Sequence, residues 1–334
     1  MKKSRVFPVI GISISLIFLF LALRKVDFIK VTDALKHTNY SWVIVAIIVY
    51  ISGFFIRAVR WKFILQSIKE CKTIDMFYSL SISFMANNLL PLRMGELVGA
   101  YVNAKKHNIS KTSSFATIVV SRVFDGLSLI LFAIILITYL GFTSHLDSTA
   151  LDYIRKTMPM VTLIFTIPLL FMYGMLNRRE FTINLTKKIF FFVPENIINK
   201  LVTVLDSFIG GLKVLHTPKD LLLTTASSLC IWICESFTFY IISVAMGMHI
   251  PYPILAFSMI ILAFGVLLPS SPGFIGVYEF FCVFGLGIFG VGKDMALTFA
   301  LLMHSMQFFV ILALGFFSLW KENISFWDIS KNTD

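Results

Sequence analysis

"NNLLPLRMGELVGAY", residues 87–101, interrupts sequence that is apolar on both sides. It holds the adjacent Asn87 and Asn88, a proline at Pro91, and the opposite charges Arg93 and Glu96. Proline lacks a backbone donor and clashes with the preceding turn, so a helix that runs into Pro91 stops there. The stretch therefore reads as the break between two short apolar pieces, Met76–Leu90 and Gly95–Ala104. Neither has the roughly 20 residues that a bilayer crossing needs. A broken helix leaves backbone groups unpaired, and it persists at membrane depth only where it is buried in protein or faces a water-filled cavity.

The surrounding chain is membrane-like throughout. Its 334 residues are 57% hydrophobic and 14% charged, with a mean hydropathy of +0.86. A soluble domain carries roughly 25% charged residues. Full spans are expected at Val6–Leu23, Trp42–Ile56, Ile118–Leu140, Pro159–Leu176, Leu221–Gly247 and Ala296–Trp320. A second broken pair, Ile254–Leu268 and Phe274–Phe289, is split by "PSSPG". Residues 1–5 are basic and precede an apolar run, as in a signal peptide. No small-residue cleavage site follows, so a retained first helix is expected. The four cysteines show no redox or zinc spacing and read as small apolar residues.

The formal net charge of +11 sits beside hydrophobic spans, which points to topology and anionic lipid rather than nucleic acid. Lys2, Lys3 and Arg5 put the N-terminus in the cytoplasm. The basic segments 57–75, 105–111 and 177–220 belong on the same side. Residues 76–104 must then enter and leave from that side, and 254–290 from the other. Loop 24–41 falls outside despite its four basic residues, and segment 177–220 reads as interfacial helices.

The expected fold is an all-α polytopic membrane protein of about six spans plus two oppositely oriented re-entrant hairpins. It forms one domain, 1–320, with a first repeat at 42–140, a second at 221–320, and a cytoplasmic tail at 321–334. The expected location is the cytoplasmic membrane of a prokaryote, with both termini inside.

The two broken segments match each other. "LLPLRMGE" (89–96) and "LLPSSPGFIGVYE" (267–279) each carry Leu-Leu-Pro, a glycine four residues after the proline (Gly95, Gly273), and then one glutamate (Glu96, Glu279). Each precedes a span with a polar pair one turn apart, Arg122 and Asp125 or His304 and Gln307. The separations from Glu96 to Arg122 and from Glu279 to His304 differ by a single residue. An inverted repeat of broken helices is the pattern of a transporter core with its site near the midplane. The helix N-termini after Pro91 and Pro272 are expected to present positive ends to an anionic group.

"RAVRW" (57–61), "NNLLPLRMGE" (87–96), "SRVFDGL" (121–127) and "LPSSPGFIGVYE" (268–279) together resemble the flippase-like family typified by the transmembrane region of lysylphosphatidylglycerol synthase. The resemblance implies a membrane protein that moves, or helps to move, a lipid with a polar or phosphorylated headgroup between leaflets. Some members are associated with aminoacylated phosphatidylglycerol, others with polyprenyl-linked sugars or hopanoids. Only residues 321–334 follow the last span, so the soluble aminoacyl-transfer domain of bifunctional members is not expected.

The expected substrate site comprises Asn87, Asn88, Pro91, Arg93, Glu96, Arg122, Asp125, Pro269, Ser270, Ser271, Gly273, Glu279 and His304, with Arg57 and Arg60 as cytoplasmic headgroup contacts. Charges at this depth face a cavity or a partner. Arg122 and Asp125 read either as a structural ion pair or as a phosphate clamp oriented by the carboxylate. Glu96 and Glu279 either pair with Arg122 or take protons. His304 reads as a proton shuttle or as a structural partner of Gln307. No metal spacing and no phosphate-binding nucleotide loop is present, so no cofactor, metal or catalytic residue is expected. Two functions compete: a lipid translocase, and a membrane subunit or enzyme of lipid glycosyl or aminoacyl transfer. Expected partners are anionic or phosphate-bearing lipids and a separate glycosyltransferase or lipid synthase; homo-oligomers are compatible, nucleic acid is not.

Overall fold

The computed structural model describes residues 6–66, 68–90, 94–142, 177–189, 195–211 and 218–324, with isolated positions at 163, 167, 170 and 174. Among these the elements in chain order are α1 (Val6–Leu23), α2 (Phe28–Lys36), α3 (Tyr40–Leu65), α4 (Thr73–Leu89), α5 (Gly95–His107) and α6 (Lys111–Phe142). They continue with α7 (Arg179–Ile189), α8 (Glu195–Gly211), α9 (Pro218–Ala245), α10 (Tyr252–Gly265), a 3₁₀ turn (Pro272–Phe274), α11 (Val277–Gly287) and α12 (Lys293–Glu322). Among the described residues, four helices are long and apolar enough to cross a membrane: Tyr40–Leu65, Lys111–Leu140, Pro218–Ala245 and Lys293–Glu322. At 1.5 Å per residue each is roughly 40 Å long. The chain is a polytopic helical membrane protein. Of the six expected spans, these four are α3, α6, α9 and α12; α1 is shorter, and Pro159–Leu176 falls largely outside the described residues.

The order long, short, short, long occurs twice, as α3–α4–α5–α6 and as α9–α10–α11–α12. Within each set the two short helices pack on one another as a hairpin. Helix α4 ends at Leu89, and Leu90 turns to an extended conformation (φ −104°, ψ 146°), the backbone favoured before a proline. Helix α5 restarts at Gly95, where an added Cβ would sit 2.1 Å from the Ser83 carbonyl oxygen, so only glycine lets the two arms close. In the second hairpin Gly276 has φ +88°, and a Cβ there would meet the Ser15 carbonyl oxygen of α1 at 2.2 Å. Helix α1 braces this hairpin from outside, with Phe18 against Phe280 and Phe281.

The repeats interlock. Helix α3 lies along α9, and each hairpin is clasped by the closing helix of the other repeat: α4 by α12, α10 by α6. Lys106 at the end of α5 bridges Asp75 at the start of α4 and Glu322 at the end of α12. At the opposite end of α12, Asp294 accepts the Asp27 N–H and Lys293 reaches the Leu21 and Arg24 carbonyls. The second hairpin opens at this end, since α11 leads through a short turn into α12. The two hairpins thus open at opposite ends of one long helix.

A core cluster runs between α3, α6, α9, α10, α11 and α12, with Phe239 and Phe299 fully buried. A second joins α3, α4, α5 and α12 around Phe54 and Met85. The outward surface is strongly apolar, with exposed Ile44, Ile48, Phe309 and Trp320, as lipid-facing helices require. Within 177–220, α7 and α8 expose Phe181, Leu185, Ile197 and Val204 beside Lys187 and Lys188.

Candidate functional site

The hairpin tips meet against the middle of α12. The 3₁₀ turn packs on the end of α4, and Gly273 lies beside the Asn88 carbonyl. Between them is a cavity of about 450 Å³. Each long helix contributes its central portion: Tyr50 and Arg57 from α3, Arg122 and Asp125 from α6, Trp232 and Glu235 from α9, His304 and Gln307 from α12. The hairpins add Asn87, Asn88 and Glu96 on one side and Phe274 and Tyr278 on the other.

The charges are arranged as crossed pairs. Arg57 donates through Nη2 to Glu235 Oε1 at 2.7 Å, tying α3 to α9. Arg60 holds both oxygens of Asp125 and donates to Ser228 Oγ at 2.8 Å, tying α3 to α6 and α9. Arg122 donates through Nε to Glu96 Oε1 at 2.9 Å and approaches Asp125 Oδ2 at 3.5 Å. The matched glutamate of the second repeat behaves in parallel: Glu279 Oε1 lies 2.6 Å from His304 Nδ1. The near-equal sequence separations thus correspond to equivalent contacts, hairpin glutamate to closing helix, in both repeats.

These pairs differ in solvent access. The side chains of Arg57 and Arg60 are 9% and 4% exposed, whereas that of Arg122 is 39% exposed. Phe84 carries both cavity-facing cations on its ring, with Arg122 at 5.4 Å and Arg57 at 5.9 Å from the centroid. Among the described residues, the buried polar atoms without a hydrogen-bond partner include four nitrogen donors at or next to the site: Arg57 Nη1, Arg60 Nε, Asn88 Nδ2 and Trp232 Nε1. Three of them belong to residues that line the cavity.

Of the residues singled out in the sequence, Asn87, Asn88, Glu96, Arg122, Asp125 and His304 line the cavity. Glu279 stands one layer behind, and Gly273 is held by its carbonyl, which accepts from His304 Nε2 at 2.8 Å. Pro269, Ser270 and Ser271 do not line it. Pro269 is exposed, and Ser271 N–H donates to Ser15 Oγ of α1, because the turn after α10 faces that helix. Pro91 and Arg93 lie outside the described residues.

Arg57 and Arg60 are not surface contacts, since both are buried among carboxylates of other helices. The free helix N-termini are also corrected. Gly95 N–H is taken by Asn87 Oδ1 and Gly276 N–H by Glu279 Oε2, so each hairpin caps its own restart.

Glu235, Trp232, Tyr50, Tyr278 and Gln307 were not in the expected set. A lone carboxylate in the span of α9 was the available signal for Glu235; the aromatic residues are indistinguishable from packing bulk in the sequence.

The family described as the lysylphosphatidylglycerol synthase TM region matches residues 9–315. The chain belongs to this family. Among curated relatives, the glycosyltransferase AglD of Haloferax volcanii is 25% identical over 96% of this chain and 55% of its own length. The chain thus spans about half of that relative. A UPF0104 membrane protein of Methanocaldococcus jannaschii is 26% identical over 69% of this chain and 90% of its own. Another, from Methanothermobacter thermautotrophicus, is 22% identical over 86% and 87%. No solved structure matches. In this member of the lysylphosphatidylglycerol synthase TM region family, the match covers all four spanning helices through most of α12 and every cavity residue named above.

Proposed function

We propose that this chain is a lipid translocase that moves a lipid with a phosphorylated headgroup between the leaflets of a cytoplasmic membrane. The observation that carries the reading is the mid-helix cavity at the meeting of two hairpin tips, lined by Arg57, Arg122 and Trp232 with buried donors left over. A phosphate takes several donors at once, and a guanidinium supplies them in a planar fork. About 450 Å³ falls within the range of ligand pockets, roughly 300–1,000 Å³, and suits a headgroup while the acyl tails stay in lipid. The apolar part of the lining, with Leu129, Met259 and Leu262, fits the glycerol and the first methylenes.

On this reading the hairpins are re-entrant and inverted relative to one another, which their openings at opposite ends of α12 support. The end of α12 tied to Lys106 faces the cytoplasm together with both termini. The partly exposed Arg122 receives the phosphate and exchanges Glu96 for it, Arg57 adds its unpaired Nη1 while staying paired with Glu235, and buried Arg60 keeps the bundle in register. The relative named as a glycosyltransferase favours a second reading, in which this fold presents lipid to a transferase without moving it.

Purified protein in vesicles of phosphatidylcholine and phosphatidylglycerol, with fluorescent phosphatidylglycerol in both leaflets, separates the two. Dithionite bleaching beyond the outer-leaflet half, with the lipid chemically unchanged, is the expected result. Bleaching that stops at half, as in protein-free vesicles, overturns it.

A further inference from the structure

His304 has both ring nitrogens engaged: Nδ1 faces Glu279 Oε1 at 2.6 Å, and Nε2 faces the Gly273 carbonyl at 2.8 Å. A carbonyl only accepts, so Nε2 bears a hydrogen. The contact between Nδ1 and Oε1 needs a second hydrogen on one of its two atoms. The pair therefore holds two protons, as imidazolium and carboxylate or as imidazole and carboxylic acid. A neutral imidazole beside a carboxylate holds only one. If one proton leaves, a single hydrogen serves two contacts, and the other sets lone pair against lone pair. The bond to the carboxylate is charge-assisted and the stronger of the two. The remaining hydrogen stays on Nδ1, and the bond to Gly273 is lost.

We propose that His304 and Glu279 form the site of a coupling proton, and that its release to the cavity unlatches the tip of the second hairpin. The proposal rests on the lipid-transport reading for its purpose, though not for its chemistry.

The tip is built to move when released. Gly273 and Phe274 both have left-handed backbones, φ +68° and 59°, and the second is a conformation that non-glycine residues seldom adopt. Glu279 also accepts the Gly276 N–H, so the carboxylate holds one side of the turn directly and the other, Gly273, through His304. His304 lines the cavity and Glu279 does not, which gives the proton its way out.

The groups around the pair fit this role. From α11, Tyr278 stacks on the imidazole at 4.1 Å and donates to Gln307 Oε1. Gln307 links in turn to Glu235 of α9, which is paired with Arg57 of α3. Tyr50 of α3 faces the same cavity, and α4 brings the uncharged Asn88. Across the cavity lie Arg122 with Glu96, and Asp125 with Arg60. Among the described groups that line the cavity or pair with its lining there are three guanidiniums, of Arg57, Arg60 and Arg122, and four carboxylates, of Glu96, Asp125, Glu235 and Glu279. The second proton on the pair brings this set to neutrality. Arg122, which contacts the glutamate of the first repeat, cannot deprotonate. The contact that holds the first hairpin is thus indifferent to protons, and the contact that holds the second depends on one.

Hydrogen–deuterium exchange of segment 266–276 in micelles, corrected for intrinsic rates, reads the latch directly. In the wild-type protein protection should fall at least tenfold between pH 5.5 and 8.5, since release of one proton changes the open fraction about tenfold per pH unit. His304→Arg, which gives the second repeat the permanent cation of the first, should abolish the dependence. Glu279→Gln, which leaves the imidazole without its carboxylate partner, should weaken the dependence. In the vesicles described above, a gradient of two pH units should drive fluorescent phosphatidylglycerol into one leaflet.

Equal wild-type protection at both pH values overturns the proposal whatever the variants do. So does lipid exchange at one rate under every pH and gradient, which would leave transport standing. A pH-dependent tip in a protein that moves no lipid sinks the transport reading alone and keeps the proton site.

Discussion

Arg60 and Arg122 both contact Asp125, and the structure assigns them opposite roles that substitution can separate. Arg60 is 4% exposed and holds both Asp125 oxygens together with Ser228, joining three helices. Truncation to alanine leaves a buried carboxylate with only the 3.5 Å approach of Arg122. Breaking a buried ion pair by removing one partner costs roughly 3–5 kcal/mol, and the residual contact puts Arg60→Ala at about 3 kcal/mol, the low end of that range. Arg122 is 39% exposed and its partner Glu96 22%. Pairs this accessible contribute roughly 0–1 kcal/mol, so Arg122→Ala should fold almost normally yet lose lipid exchange.

Replacing both members of the inner pair, as Arg60→Met with Asp125→Asn, should restore stability to within about 1 kcal/mol of wild type, because no unpaired charge remains. Reversible unfolding in mixed micelles, followed by circular dichroism, measures the three variants, and the vesicle assay measures exchange. Equal destabilisation by Arg60→Ala and Arg122→Ala would refute the division of roles. So would full exchange by Arg122→Ala.

Arg122→Lys should retain a small part of the exchange rate, because an ammonium offers a point charge where the guanidinium offers a fork; full retention would argue against bidentate contact. Gly95→Ala should cost roughly 1–3 kcal/mol through overpacking, because its Cβ meets Ser83 and Asn87 backbone atoms at 2.1 and 2.6 Å; unchanged stability in the micelle assay would contradict the close hairpin. Single cysteines at the exposed Lys105 and Lys36, in a background without native cysteines, should react with an impermeant reagent from opposite faces of the membrane. Labelling of both from one face would rule out the inverted hairpins.

Local chemistry made the breaks legible. Proline and glycine act on the backbone within a few residues, so Leu-Leu-Pro and the following glycine marked both hairpins in the sequence. The twin separations from Glu96 to Arg122 and from Glu279 to His304 marked the equivalent contacts, because the two repeats fold the same way. The choice of partner among nearby charges was not legible. Asp125 lies one turn from Arg122, yet its main partner is Arg60, which arrives from another helix. Arg57 reaches Glu235 across 178 residues of chain. Helix termini that look free for a ligand turn out to be capped by Asn87 and Glu279 of the same hairpins. Breaks and spans follow from backbone conformation and the transfer of side chains to lipid, which each residue carries with it. Ion pairing depends on which helix faces come together, and that is decided only when α3 packs along α9 and each hairpin is clasped by the other repeat's closing helix.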